Sequence, residues 1–362
     1  MLSATALKHL GTARTTLSSS TSTAAAAAAS STRLMSNTVR PSPVPLVVSP
    51  KYLSPLLQDA SSSNAVRVLD ATWFMPNVQR NARDEFQRGP RLPGALFWDV
   101  DKVATTGETV RNLPHMMPTA EVFAQAAGEH GISKDTHVVV YDTHGVFSSP
   151  RTAFTFKAFG HPKVSVLNGG LPAWIDAGFA VEEGPAKEQT TPVEYPVPTL
   201  TEGMVRSFEE MVANARQGAR GQTVFDARPK GRFDGTDPEP RAGLSSGHIP
   251  HSLSLPFSTL LNTQTSSKEA GKKYTTLKDQ VELWRVLSDA AGGMEALDKL
   301  RQGSSGGELS ATNTCGSGMT AACIWLALQE VGVQSSIYDE SWTGWASRES
   351  EGVPIDKTPS DE

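Results

Sequence analysis

Short apolar runs and stretches of helical spacing alternate along most of this chain. Residues 66–70, 138–142 and 164–167 are too short and too continuously apolar for helices, and they read as strands buried on both faces. Between them, residues 119–130 carry apolar positions at helical spacing, with Thr119 placed to cap the first turn and Glu121 inside it. Residues 151–159 predict a second helix, and Gly169 and Gly170 mark a turn into a third. Strands alternating with helices predict an α/β fold: a mostly parallel sheet covered by helices on both faces. Order is expected from Leu46-Val47-Val48 onward. Residues 183–200 break the rhythm, because Pro185, Pro192, Pro196 and Pro198 among polar residues predict an extended linker.

The pattern then begins again. Val224-Phe225-Asp226-Ala227-Arg228 matches Val68-Leu69-Asp70-Ala71-Thr72, and Gly247-His248-Ile249-Pro250 matches Pro90-Arg91-Leu92-Pro93. Residues 338–345 match residues 167–174, and both stretches end in tryptophan (Trp345 and Trp174). Three matches in one order at nearly one offset predict a tandem duplication, with copies at residues 46–182 and 201–355. A stretch rich in Ser, Gly and Lys, residues 264–307, is added to the second copy.

Composition narrows the partners. The net charge is −5 with no basic block, which argues against nucleic acid. No apolar run approaches the ~18 residues of a membrane span. The only cysteines, Cys315 and Cys323, form neither a disulfide framework nor a zinc spacing, so a reducing compartment without a metal is expected. Residues 1–40 hold Lys8, Arg14, Arg33 and Arg40 among Ala, Ser and Thr, and the first acid is Asp59. That is the composition of a mitochondrial transit peptide or of a disordered tail, with Met35 as a candidate internal start for a cytosolic form.

The chemistry concentrates at Thr314-Cys315-Gly316-Ser317-Gly318-Met319-Thr320-Ala321, followed at once by an apolar helical run to Val331. Glycines let such a loop curl and turn its N–H groups inward, and the helix aims its positive end back at the sulfur. Such surroundings move a thiol from its free pKa of ~8.5 into roughly 3.5–7.5. Cys315 therefore reads as a nucleophile, and a buried structural cysteine ahead of a core helix fits the same residues. Cys323 reads as a core residue of that helix. The matching loop of the first copy, residues 142–150, has no cysteine. Ligand sites of parallel sheets lie at the C-terminal ends of strands, where this loop falls.

A duplicated α/β unit with Cys-Gly-Ser-Gly-x-Thr-Ala in its second copy resembles the rhodanese superfamily, and within it the branch that takes sulfur from 3-mercaptopyruvate. The likeness runs from about Val47 to Arg348 and includes Asp70-Ala71-Thr72-Trp73, His115-Met116-Met117-Pro118, Gly231-Arg232-Phe233 and Gly235-Thr236-Asp237-Pro238-Glu239-Pro240-Arg241. It implies a two-domain sulfurtransferase, expected as a monomer and without a cofactor. Thiosulfate-using members carry Arg and Lys after the cysteine, whereas Gly316 and Ser317 stand here, a neutral loop suited to a mono-anionic keto acid. The resemblance assigns Arg232 and Arg241 to the donor's carboxylate and keto oxygen, and the N–H groups of Gly316, Gly318, Met319 and Thr320 to the sulfur. It also implies a Ser317–His115–Asp101 proton relay. The partners it implies are a small-molecule sulfur donor and a thiol or thioredoxin-like acceptor. His248 is expected to be a turn residue. Three departures stand out: Met319 replaces Val, Arg91 replaces the His of the first His-x-Pro-Gly turn, and Glu340 replaces a Gly. Residues 308–314 are also more polar than a buried strand ahead of such a loop should be. Other readings remain. A phosphatase of this fold needs Cys-x5-Arg, but Ala321 stands at the Arg position. A non-catalytic sulfur carrier is the reading outside the enzymes.

Overall fold

The structure, a computed structural model, describes residues 44–58, 65–187 and 190–357. The transit-peptide reading and Met35 lie outside them. The first half runs β1 (Val47–Val48), α1 (Pro50–Gln58), β2 (Val66–Asp70), α2 (Ala82–Arg88), β3 (Leu96–Phe97), α3 (Ala120–Glu129), β4 (His137–Tyr141), α4 (Ser149–Ala158), β5 (Val164–Leu167) and α5 (Gly170–Asp176). The second half runs β6 (Val205–Arg206), α6 (Phe208–Arg216), β7 (Thr223–Asp226), α7 (Lys230–Phe233), β8 (Ser252–Ser254), β9 (Leu261–Thr265), β10 (Lys273–Leu277), α8 (Gln280–Ala291), α9 (Met294–Gly303), β11 (Ala311–Thr314), α10 (Ala321–Glu330), β12 (Ser335–Tyr338) and α11 (Ser341–Ala346).

Two five-stranded sheets result, ordered β1-β5-β4-β2-β3 and β6-β12-β11-β7-β8, and every pairing within them is parallel. The order is the same when each second-half strand replaces its counterpart, so the fold is a tandem duplication of one α/β unit. Register fixes the correspondence to the residue: Asp70 lies opposite Tyr141, and Asp226 lies opposite Thr314. The next residues are Asp142 and Cys315, which therefore occupy the same place in the two halves.

Helix starts follow the local signals. Thr119 accepts from the Val122 N–H, and Ser207 with Glu210 and Asp279 with Glu282 form reciprocal capping boxes. The halves meet through α4 and α10, where the Phe154 and Trp325 rings pack edge-on at 5.4 Å inside a core that draws buried residues from both sheets. Residues 264–307, read from sequence only as an added stretch, are largely regular. The β9–β10 hairpin reaches onto the first half, where Thr275 N–H donates to the His144 carbonyl and Leu277 N–H to Asn168.

The polar residues of β11 are buried, and Thr312 and the Asn313 amide N–H group find partners. Thr312 bonds Gln222 and Ser336, and the Asn313 amide donates to Ser335 Oγ and the Ser336 carbonyl. Neighbouring β12 is itself Ser-Ser-Ile-Tyr and supplies acceptors for these donors, while Asn313 Oδ1 and the Thr314 hydroxyl are buried without a hydrogen-bond partner among the described residues. The extended segment after α5 docks on the first half: Tyr195 is buried and the Val193 N–H donates to the Gly128 carbonyl. Arg91 also helps to hold it, donating to the carbonyls of Phe86 and Gly184. His248, at the matching turn, stacks on Phe233 and bonds the Phe233 carbonyl.

Candidate active site

The site starts where β11 ends. The Cys315 N–H donates to Ser341 Oγ, the Cys315 carbonyl accepts from the Trp342 N–H at 2.8 Å, and the Gly316 carbonyl accepts from the Thr343 N–H and hydroxyl. The start of α11 thus holds the loop's carbonyls outward. Gly318 takes φ +80°, open to glycine without strain. Among the described residues, the N–H groups of residues 316–321 have no partner in the protein. They form a donor-lined cradle ahead of α10, whose first turn adds its positive end. Cys315 is only 2% exposed, so the thiol is enclosed rather than open as an oxidation-prone surface thiol would be.

The first half shows what such a cradle holds. There Asp142 stands in the cysteine's place, fully buried. Its Oδ1 accepts the N–H groups of His144 and Gly145, and its Oδ2 those of Phe147, Ser148 and Ser149 and the Ser149 hydroxyl. The loop is closed around its own anion. In the second half the equivalent donors have no partner among the described residues, and Cys315 stands where the carboxylate stands in the first.

Opposite the Cys315 loop lies a segment of the first half. His115 Nδ1 is 3.0 Å from Ser317 Oγ, and its Nε2 is 3.1 Å from Asp101 Oδ1. Asp101 only accepts when ionised, so Nε2 carries the proton and Nδ1 accepts from the Ser317 hydroxyl. The Trp73 indole N–H donates to the other oxygen of Asp101, and its ring meets the His115 ring edge-on. Burial works to raise the Asp101 pKa, but the bonds from His115 and Trp73 outweigh it and hold the carboxyl below its ordinary value. Asp101 and His115 of the first half and Ser317 of the second thus form one hydrogen-bonded line.

Arg232 and Arg241 converge on the loop from α7 and the turn after it. A side chain at Gly316 would begin 3.5 Å from an Arg232 nitrogen and 3.6 Å from an Arg241 nitrogen. Buried Glu239 bonds Arg232 on one side and Arg228 on the other, and Arg228 is in turn locked to Asp226. Arg241 has no hydrogen bond or ion pair among the described residues. Burial is the main cause pulling its pKa down, and neighbouring Arg232 adds to this, against the opposing pull of Cys315 and Glu239. It stays cationic at neutral pH. Its outer side lines a cleft of about 620 Å³ between the halves, together with Arg111, Asn112, Thr343 and Ser347. Met319 is buried in the core, and Thr320 stands just before α10. Cys323 faces the inter-half core, where burial pushes its thiol pKa well up.

The rhodanese-like domain family matches residues 56–177. The chain is 36% identical to the probable 3-mercaptopyruvate sulfurtransferase of Schizosaccharomyces pombe over 286 residues, 78% of this chain and 87% of that one. It is 35% identical to thiosulfate/3-mercaptopyruvate sulfurtransferase 1, mitochondrial, of Arabidopsis thaliana, over 82% of this chain and 75% of that one. The crystal structure of Tum1 from Saccharomyces cerevisiae superposes with a TM-score of 0.71 at 29% identity, covering 87% of this chain and all of that one. The chain belongs to the rhodanese family of sulfurtransferases. In this sulfurtransferase, sequence reasoning left two contributors without a role. Glu239 sits inside a motif quoted for Arg241, but its hold on Arg232 is legible only in space. Trp73 closes another quoted motif, and nothing in the chain's order ties its indole to Asp101.

Proposed function

We propose that this sulfurtransferase takes sulfur from 3-mercaptopyruvate through a persulfide on Cys315 and passes it to a thiol or, in an assay, to cyanide. The Cys315 thiolate attacks the donor's sulfur, and the C–S bond breaks with its electron pair going to the methylene carbon. Pyruvate leaves as its enolate and takes a proton to become the keto acid. The Ser317–His115–Asp101 line supplies the path for that proton. Arg232 and Arg241 orient the carboxylate and keto oxygen, and the free loop N–H groups stabilise the sulfur anion before and after transfer. An acceptor thiolate, of a small thiol or a thioredoxin-like protein, then attacks the outer sulfur, and the S–S electron pair returns to Cys315.

The observation that carries the choice of donor is Gly316. The thiosulfate-using pattern would place a cation there, against the nitrogens of both Arg232 and Arg241. The neutral loop lacks the two cations of the thiosulfate-using pattern, and the planar forks of Arg232 and Arg241 suit a carboxylate with its adjacent keto oxygen. The name of the Arabidopsis relative joins both donors, so thiosulfate is the competing reading. The same name supports mitochondrial residence, in line with the basic, acid-poor first 40 residues. Turnover with 3-mercaptopyruvate and with thiosulfate, cyanide as acceptor, is the deciding comparison, run on the chain from Met35 and on its Cys315→Ser variant. Preference for mercaptopyruvate, lost with Cys315, is expected. Preference for thiosulfate would overturn the donor assignment, and unchanged turnover by Cys315→Ser would overturn the persulfide.

A further inference from the structure

His115 sits in the left-handed region at φ +61°, a conformation an ordinary side chain adopts only when its surroundings hold it there. The hold comes from one buried ion pair that crosses the halves. Arg151, on α4 of the first half, and Asp339, just after β12 of the second, are both buried and lie 2.7 Å apart. Arg151 Nη2 also donates to the His115 carbonyl, and its Nη1 donates to the Gly318 carbonyl at 3.3 Å. Asp339 uses its other oxygen to accept the Met117 N–H at 2.7 Å. One guanidinium therefore touches the backbone of the relay histidine and the backbone of the cysteine loop, and its partner carboxylate fixes the chain two residues beyond that histidine. Gly318 has no side chain where one would meet Arg151 at 3.0 Å, so the absence of a Cβ there makes room for this approach.

We propose that Arg151 and Asp339 are positioning residues for sulfur transfer: they set the distance between His115 and Ser317 and so couple the half without the cysteine to the half that carries it. The inference rests on the relay reading given above. Neither side chain bonds a relay side chain, so both act through the backbones of His115, Met117 and Gly318. A buried pair of this kind gives little net stability over a neutral pair of similar volume, whereas a single broken partner leaves an uncompensated charge. The neutral double variant Arg151→Met with Asp339→Asn is therefore the informative one, and Arg151→Lys is the conservative control.

The test is single-turnover pyruvate release from 3-mercaptopyruvate per titrated Cys315, for each variant in the native and the His115→Ala background. A displacement of about 1 Å at a relay costs on the order of 100-fold. The double variant is expected to release pyruvate roughly 10–100-fold more slowly, with KM within about twofold because Arg232 and Arg241 are untouched. Arg151→Lys should recover part of the rate. In the His115→Ala background the same change should cost less than about twofold, since the residue through which it acts is gone. Equal losses in both backgrounds, or no loss in the native one, would overturn the proposal. A His115→Ala protein with the native rate would sink the relay reading instead. In that case nitrogen NMR of the His115 ring still decides the positioning: its tautomer signature should be lost in the double variant and kept in Arg151→Lys, and an unchanged signature in the double variant rejects it.

Discussion

At the scale of single residues, the proposed donor end of the site rests on two arginines in unlike settings. Arg232 is braced by Glu239, and Arg241 makes no hydrogen bond or ion pair among the described residues. A charge-assisted hydrogen bond is worth about 1.5–3 kcal/mol. Arg241→Ala should therefore lower kcat/KM for 3-mercaptopyruvate about 10–100-fold while Cys315 alkylates at its native rate; unchanged kcat/KM would remove Arg241 from donor binding. Gly316→Arg would bring a third cation against the pair. It should depress mercaptopyruvate turnover more than thiosulfate turnover, and the ratio of the two rates for native and variant protein measures this. Among these residues, the glycine and the two arginines were legible as motif positions. Their convergence was not, because Arg241 reaches Gly316 from 75 positions away in a turn that carries no periodicity.

At the scale of elements, the two loops after β4 and β11 are the same device with different occupants. Each lays N–H groups around a centre. The first holds its own carboxylate, and in the second the N–H groups have no partner among the described residues, which is why the proposed mechanism gives them to sulfur. Asp142→Asn would place an amide nitrogen, itself a donor, against at least two of those N–H groups. The expected cost is about 3 kcal/mol of stability, from buried donors left without an acceptor. Urea unfolding monitored by fluorescence would read it, and an unaltered midpoint would show that the loop does not need its anion. Strand β11 is the instructive departure from pattern. Its Thr-Asn-Thr sequence weakens the case for a buried strand, yet the strand forms because β12 and Gln222 present matching hydroxyls and carbonyls. Polar residues can line a buried strand when their partners are on the neighbouring one, and a linear pattern does not show which strand that is.

At the scale of the molecule, pH acts on stability through buried groups away from the site. Burial lowers His137 and His161 from 6.5 to about 4. Each is neutral in the fold, with Nε2 donating to Ser165 Oγ and to the Thr136 carbonyl respectively. Their contribution is complete above pH 6.5 and is lost as pH falls towards 4, because the unfolded chain takes up protons that the fold refuses. Burial raises Asp70 from 3.8 to about 6, which acts the other way: its contribution is complete below 3.8 and is lost as pH rises through 6. Two histidines outweigh one aspartate, each pKa unit being about 1.4 kcal/mol. The unfolding temperature should therefore fall between pH 6.5 and 4, and His161→Gln should flatten that slope. A slope unchanged by His161→Gln would remove this histidine from the account.

The sequence by itself determined the local and the repeated: strands as short apolar runs, helices by spacing and caps, the duplication by recurring motifs at one offset, and the cysteine loop by its glycines. These are properties of neighbours along the chain, where periodicity and backbone freedom act. The family likeness pointed to Asp101 and His115 as partners of Ser317, but the chain's own pattern did not; tertiary structure alone decided that Asp142 fills the sister cradle and that Arg151 and Asp339 pin the two halves together. The Arg151 and Asp339 bonds join residues 36–222 positions apart, and at such separations only the packing of the folded chain, not its order, brings two groups within a hydrogen bond.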